Sequence, residues 1–381
     1  MNFQPYPFER LRDLIAPIVP KKKQMLLTIG EPQFQTPSFI QEELKNYTSE
    51  LRFYPKSAGE DYLKKAQMDF VKNRFKVSLE SSEIIPTFGT REVLFNLPQF
   101  LLFDKLNPVI AHPNPFYQIY EGAGIAARAK IIYMDLCKSN HFKPFLSDED
   151  KKEVDLVILN SPNNPTGATL SLDELKNWVQ WALEYDFVLL NDECYSDIYK
   201  SSPPAGILEA SYMLGNKDFK NVLSLNSISK RSSAPGLRSG FIAGDKNILR
   251  EYQKYRTYIG CAIPNPIQRA SAVAWEDIQV SEKIRQKYAK NFQIAQEIFP
   301  NVPIEPYTFY MWLEVRDDVD FTKKLYEKEG LLVLPGSFLG RKGVGKEYVR
   351  IALVYEEEIT RDCLKILKGF LCDYLKKGFD A

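Results

Sequence analysis

The sequence predicts an α/β protein built on a mostly parallel sheet, with a smaller α/β portion beside it. Three observations carry that expectation. From residue 84 to residue 245, short apolar runs alternate with helical stretches, the pattern of a parallel sheet covered on both faces. Four consecutive apolar runs end in loops rich in polar and aromatic residues, at the carboxyl ends where open α/β sheets collect ligands. Past residue 290 a second, shorter alternation begins. At 381 residues the chain has room for two domains of about 100–200 residues each.

Taken in order, residues 8–16 are amphipathic enough for a short helix. Leu26-Leu27-Thr28-Ile29-Gly30-Glu31-Pro32 is an extended segment broken at Gly30, where the missing side chain lets a ligand approach the backbone. Pro37 to Leu44 reads as a helix start, and Leu51-Arg52-Phe53-Tyr54-Pro55 as a short extended piece closed by the loop around Gly59. A helical period follows through Tyr62, Leu63, Ala66, Phe70 and Phe75. At Ile84-Ile85-Pro86-Thr87-Phe88-Gly89-Thr90-Arg91 an extended segment meets a Gly-Thr turn and then a helix. That geometry aims the free N–H groups of a helix N-terminus at whatever sits in the turn, a ready site for phosphate. Further strands are expected at 108–111, 130–134, 155–160, 187–191, 222–226 and 239–243. Residues 246–290 read as helical, with Trp275 in packing, followed by strands near 309–315, 331–334 and 348–354 and a closing helix at 357–376. The second domain is thus assembled from both chain ends: 46–285 form the large domain, and 1–45 with 286–381 the small one.

Composition removes several functions. A formal net charge of +1 gives no electrostatic case for nucleic acid or an anionic membrane. No apolar run approaches the roughly 20 residues of a membrane span, and the opening residues lack the basic start and apolar core of a signal peptide. Five scattered cysteines without a CxxC pair suit reduced thiols and a cytoplasmic location. His112 and His141 are the only histidines, too few for a histidine-rich metal site. Gly340-Arg341-Lys342-Gly343-Val344-Gly345-Lys346 imitates a phosphate loop, but Glu347 stands where a magnesium-binding Ser or Thr is needed and a strand follows where a helix should, so an NTPase is rejected.

The expected strand ends carry chemistry. Ser227-Ile228-Ser229-Lys230 ends the run at 222–226, and a lysine there can form a Schiff base with an aldehyde cofactor if its amine is neutral. Ser227 and Arg238 offer a hydroxyl and a planar cationic fork to a phosphate. An aldehyde and a phosphate on one cofactor mean pyridoxal 5'-phosphate. Its ring nitrogen needs a buried carboxylate to stay protonated, for which Asp192 is the candidate. Its ring oxygen needs donors, for which Asn164 and Tyr195 are placed, and Tyr117 suits stacking on the ring. Each alone has a structural reading: Lys230 in a solvated loop, Tyr117 as core filling, Asn164 as a turn amide, Asp192 as a helix cap.

Together these motifs resemble the class I/II, fold type I pyridoxal-phosphate-dependent aminotransferases over nearly the whole chain. The matching stretches are Ile29-Gly30-Glu31-Pro32, Asn163-Asn164-Pro165-Thr166-Gly167, Asp192-Glu193-Cys194-Tyr195, Ser227-Ile228-Ser229-Lys230, Gly236-Leu237-Arg238 and Tyr348-Val349-Arg350-Ile351. The resemblance implies a large domain with a mostly parallel seven-stranded sheet plus a smaller α/β domain. It implies Lys230, Asp192 and Tyr195 as catalytic residues, with Gly89, Thr90 and Arg91 (the last two through the backbone), Ser227 and Arg238 at the phosphate. Arg350 would grip the substrate α-carboxylate, with Gly30 and Asn164 alongside. It also implies a homodimer in which Tyr54 reaches the phosphate of the neighbouring subunit.

Within that family, Pro113-Asn114-Pro115-Phe116-Tyr117-Gln118-Ile119-Tyr120, Tyr255-Arg256-Thr257-Tyr258 and Leu334-Pro335-Gly336-Ser337-Phe338-Leu339 look like the N-succinyldiaminopimelate aminotransferases of lysine biosynthesis. Asn163, Ile228 and Tyr307-Thr308 depart from the common pattern. The implied substrates are amino acids and 2-oxo acids, with glutamate and 2-oxoglutarate as one pair. A succinylated substrate carries a distal carboxylate, for which Arg91, Arg231 and Arg256 are candidates. Transamination of aspartate or aromatic amino acids and C–S lysis are the alternatives. A pyridoxal-phosphate-binding transcription regulator is set aside, since the segment before Gly30 is too short for a DNA-binding domain.

Overall fold

The computed structural model describes residues 3–376. Twelve strands are formed among them: β1 (Met25–Leu26), β2 (Ile84–Thr87), β3 (Val109–Asn114), β4 (Lys130–Asp135), β5 (Leu156–Asn160), β6 (Val188–Asp192), β7 (Val222–Ser227), β8 (Gly240–Gly244), β9 (Tyr310–Glu314), β10 (Leu331–Leu332), β11 (Leu334–Pro335) and β12 (Tyr348–Ala352). Seven of them make one sheet in the order β2-β8-β7-β6-β5-β3-β4. Only β8 runs against its neighbours, pairing antiparallel with β2 and β7. The chain leaves β4 at the sheet edge and re-enters as β5 on the far side of β3, so the winding reverses at β3 and opens a crevice at the carboxyl ends.

The local sequence explains these elements. β5 is apolar throughout because both its faces are covered. Val157 and Leu159 enter one apolar layer, while Leu156 and Ile158 enter the other. The helix Leu172–Tyr185 that follows starts at a capping box: Ser171 Oγ accepts from the Glu174 N–H, and the Glu174 carboxylate accepts from the Ser171 N–H. Its buried residues Leu175, Trp178, Val179 and Ala182 fall at helical spacing on one face. Cutting Leu175 to Ala would cost about 2–5 kcal/mol, the range for a large-to-small change in a closed core.

The expected strands form with small shifts of boundary. The run near 108–111 continues to Asn114, because β3 pairs with β4 as far as Asn114↔Asp135; His112 and Pro113 had hidden that continuation. The stretch 331–334 divides, with β10 pairing to β1 and β11 to β12, so the chain changes sheets at Val333. The helical region after 246 is three helices, Lys246–Tyr258, Asn265–Glu276 and Gln279–Ile298, and Trp275 packs against Phe70 and Phe241 as expected. The lysine stands not in a loop but on a short helix, Ile228–Arg231.

β9, β11 and β12 form a three-stranded antiparallel sheet, and its apolar cluster includes Leu27, Phe34, Ile284, Tyr288, Phe292 and Leu364. We propose the division into 46–285 and 1–45 with 286–381, its last residues 377–381 lying outside those described. The helix Gln279–Ile298 spans the proposed boundary. Tyr195 and Ile198, just past β6, pack into the same cluster, so the end of β6 leads straight to the seam between the two units.

Candidate active site

Parallel pairing sets the carboxyl ends of β5, β6 and β7 side by side, with Asn160 opposite Asp192 and Asp192 opposite Leu225. Above them opens a cavity of about 440 Å³. Gly30, Thr90, Arg91, Tyr117, Asn164, Asp192, Tyr195, Ser227, Lys230, Arg238 and Arg350 all line it. Of the sequence-derived site residues, Gly89 adjoins the cavity through Arg238, and Tyr54 stands outside it, fully exposed.

Lys230 Nζ donates to the Gly30 carbonyl at 2.6 Å. Burial lowers its pKa to about 8, with the Arg350 and Arg238 cations pushing the same way and Cys194 and Glu31 opposing. A useful fraction of the amine is therefore neutral near neutral pH, which a nucleophile or base requires. Asp192 is buried at the end of β6, and burial raises its pKa. Oδ2 accepts from the Tyr120 hydroxyl at 2.9 Å and Oδ1 from the Cys194 N–H at 3.2 Å, both of which favour the carboxylate. The two bonds fix the carboxylate plane.

Asn160 ties the adjacent loop down. Its Nδ2 donates to the Asp192 carbonyl at 2.9 Å and its Oδ1 accepts from the Asn164 N–H at 2.8 Å. Asn164 Oδ1 in turn accepts from Arg350 at 2.8 Å. Arg350 spends a second nitrogen on the Thr28 carbonyl at 2.6 Å, while its Nε is buried with no partner. An unspent donor on a buried guanidinium is what an incoming carboxylate would satisfy.

At the other end, Gly89 (φ 76°) precedes the helix Thr90–Leu102. A Cβ at Gly89 would stand 2.2 Å from an Arg238 nitrogen, so the glycine is required both by its left-handed backbone and by the close approach of Arg238. Burial, with Arg91 nearby, lowers the Arg238 pKa. The helix N-terminus and the Arg238 guanidinium make an anion cradle. Arg91 Nε donates to the Tyr117 hydroxyl at 2.9 Å, its one hydrogen bond among the described residues.

Two of the three arginines weighed for a distal carboxylate are corrected. Arg231 follows Lys230 yet faces away from the cavity. Its nitrogens donate to Asp197, the Ala274 and Asp277 carbonyls and Ser281, between the rings of Phe70 and Trp275. Arg256 is fully buried on Glu92 and the Ser57 carbonyl. Only Arg91 reaches the cavity. The loop that imitates a phosphate loop is occupied too: the Arg341 side chain bonds Glu121, and its backbone N–H donates to Asn114 Oδ1 at 2.8 Å.

Sequence reasoning missed Tyr120, Cys194, Tyr310 and the N-terminal pair Tyr6 and Phe8, all of which line the cavity. Tyr120 had a signal, since it lies three residues after Tyr117, in the first turn of the helix Ile119–Ala126. Tyr310 had none in its own stretch. Its hydroxyl lies 3.1 Å from that of Tyr195, across 115 residues of sequence.

A buried lysine of lowered pKa, a buried carboxylate and an anion cradle in one cavity fit pyridoxal phosphate at its aldehyde, ring nitrogen and phosphate respectively. The profile of the aminotransferases of class I and II matches residues 22–366. The chain belongs to that family. It is a pyridoxal-phosphate-dependent aminotransferase. It is similar to the LL-diaminopimelate aminotransferase of Aquifex aeolicus (strain VF5), 30% identical over 358 residues and 90% of each chain. It is also similar to the enzyme of that name from Natranaerobius thermophilus, 30% identical over 98% of this chain and 97% of the other. Among solved structures, the aminotransferase AspB of Helicobacter pylori 26695 superposes with a TM-score of 0.97 at 54% identity, covering 98% of this chain and all of the other. An aminotransferase of Neisseria meningitidis Z2491 superposes at 0.92 with 37% identity, over 98% of each chain.

Proposed function

We propose that this aminotransferase acts as an N-succinyl-LL-2,6-diaminopimelate:2-oxoglutarate aminotransferase. Bound pyridoxal phosphate supplies the aldehyde and the electron-withdrawing ring. In our reading Lys230 would hold the aldehyde and supply the amine that moves the substrate's Cα proton. Asp192, fixed by Tyr120, keeps a proton on the ring nitrogen. Asn164 and Tyr195 would hold the ring oxygen and Tyr117 the ring face, while Gly89, Thr90 and Arg91 through their backbone, with Ser227 and Arg238, would hold the phosphate. Arg350 grips the α-carboxylate beside Gly30.

The observation that supports the substrate is the pair of arginines lining one cavity, Arg350 with its Nε unspent and Arg91 with its two terminal nitrogens unspent. A substrate with carboxylates at both ends uses both. The names of the Aquifex and Natranaerobius relatives support a second reading, in which the acceptor is the diaminopimelate skeleton without the succinyl group.

The test compares kcat/KM for N-succinyl-LL-diaminopimelate, LL-diaminopimelate, aspartate and phenylalanine with 2-oxoglutarate. The succinylated substrate should win by at least about tenfold, and Arg91→Gln should erase most of that margin. Preference for free LL-diaminopimelate would install the second reading. Preference for aspartate or phenylalanine, or release of pyruvate from cystathionine as the main activity, would defeat both.

We also propose a homodimer with shared sites in the cytoplasm. Tyr54 is exposed beside Leu51 and Phe53, an apolar strip suited to a second copy. Sedimentation of monomers that still bind pyridoxal phosphate tightly would refute the shared site. Among the described residues no helix is long and apolar enough to cross a membrane.

A further inference from the structure

We propose that Tyr310 is a positioning residue that aims the Tyr195 hydroxyl into the cavity and supports the Arg350 guanidinium. One side chain then sets both the group facing the cofactor and the group gripping the substrate. The inference rests on the reading that Tyr195 faces the ring oxygen.

Tyr310 touches every part of this arrangement. Its hydroxyl lies 3.1 Å from the Tyr195 hydroxyl. Its ring supports Arg350, whose guanidinium carbon stands 4.3 Å from the ring centroid. The same hydroxyl comes within 1.6 Å of the place a Cβ on Gly30 would occupy. Gly30 is therefore the residue that admits the tyrosine, and its carbonyl is the one that holds Lys230.

The backbone fixes this placement from two sides. Tyr310 lies opposite Ala352 in the β9–β12 pairing and Trp312 opposite Arg350, so Tyr310 and Arg350 are diagonal neighbours on one face. The segment before β9 is bound to the segment after Tyr195: the Thr308 N–H donates to the Ile198 carbonyl at 3.1 Å, and the Lys200 N–H to the Pro306 carbonyl at 3.0 Å. Thr308 takes a left-handed φ of 64° and its hydroxyl accepts from the Tyr310 N–H at 3.0 Å. Main chain thus brings the two tyrosines together, their rings meeting edge-on with centroids 5.7 Å apart.

Each phenol carries one proton, so within the pair one donates and the other accepts. The Arg350 cation over the Tyr310 ring draws charge from its oxygen and makes Tyr310 the better donor. Tyr195 then accepts, and its own proton is left for the ring oxygen of the cofactor. A donor there stabilises negative charge on that oxygen and eases loss of the neighbouring proton.

The experiment titrates the visible absorbance of the pyridoxal-phosphate-loaded protein against pH for wild type, Tyr310→Phe, Tyr195→Phe and the double variant. Tyr310→Phe keeps the ring beneath Arg350 and loses only the hydroxyl. The titration midpoint should rise by about half a unit or more, and kcat should fall about fivefold with KM nearly unchanged. Tyr310→Leu should in addition raise KM for the amino acid, because Arg350 loses its support. In the Tyr195→Phe background, adding Tyr310→Phe should move the midpoint no further. A wild-type midpoint in Tyr310→Phe, with Tyr195→Phe shifted, overturns the inference. An unshifted Tyr195→Phe instead overturns the assignment of Tyr195 on which it rests.

Discussion

Lys230 and Arg231 are consecutive residues of one short helix, and they face two very different cavities. On the lysine side, about 440 Å³ is lined by groups with bonding capacity left over, including an Arg350 Nε with no partner and a lysine whose pKa burial lowers to about 8. On the arginine side, a larger space of about 620 Å³ is lined by three arginines that have all found partners: Arg74 and Arg231 share Asp197, and Arg285 is bonded to Glu282. Size does not separate them. Satisfaction of polar groups does, because a saturated ion network holds elements together, whereas unspent donors and perturbed pKa values mark where something binds.

Four substitutions or conditions sharpen that contrast. Asp192→Ala strikes the lysine side hardest: pyridoxal phosphate should still bind by absorbance while turnover falls about 10²–10⁴-fold. Wild-type rates would contradict the role given to the carboxylate. Arg231→Met strikes the other side. It leaves Asp197 with Arg74 alone and removes the donors to the Ala274 and Asp277 carbonyls and to Ser281, so urea unfolding should show a loss of about 3–5 kcal/mol. Wild-type stability would remove Arg231 from the framework.

Arg350→Lys keeps the charge but not the fork, and should cost about 1.5–3 kcal/mol in kcat/KM for amino acid substrates. An unchanged value for each amino acid tested would exclude Arg350 from the carboxylate site. The smallest effect is in pH. Because burial depresses the Lys230 pKa from 10.5 to about 8, the neutral amine gains as pH rises through that lower value. The rate at which cofactor-free protein captures pyridoxal phosphate should therefore reach half its maximum near pH 8 and level off above it. A climb continuing toward 10.5 would show the lysine unperturbed.

The same contrast explains what was legible in the sequence. Asp192 and Lys230 could be read because each follows a short, mostly apolar run, and parallel strands place their ends together whatever the loops do. Gly89 and Thr90 were legible as a turn feeding a helix. Arg231 was not, since the face a residue takes on a one-turn helix is decided by partners from other elements, here Asp197 and the Ala274 carbonyl. Tyr310 was hidden for the same reason: its meeting with Tyr195 depends on pairing between segments distant in the chain. The division of 331–334 between two sheets likewise follows from competing partners for one apolar stretch.

The central claim is that the cavity beside Lys230 is where the chemistry happens, and one variant tests it most directly. Lys230→Ala removes the amine that holds the aldehyde and carries the proton. Purified protein should fold, lose the visible absorbance band of the lysine-bound cofactor and show no transamination. Retention of more than a trace of turnover, with the band intact, would contradict the account.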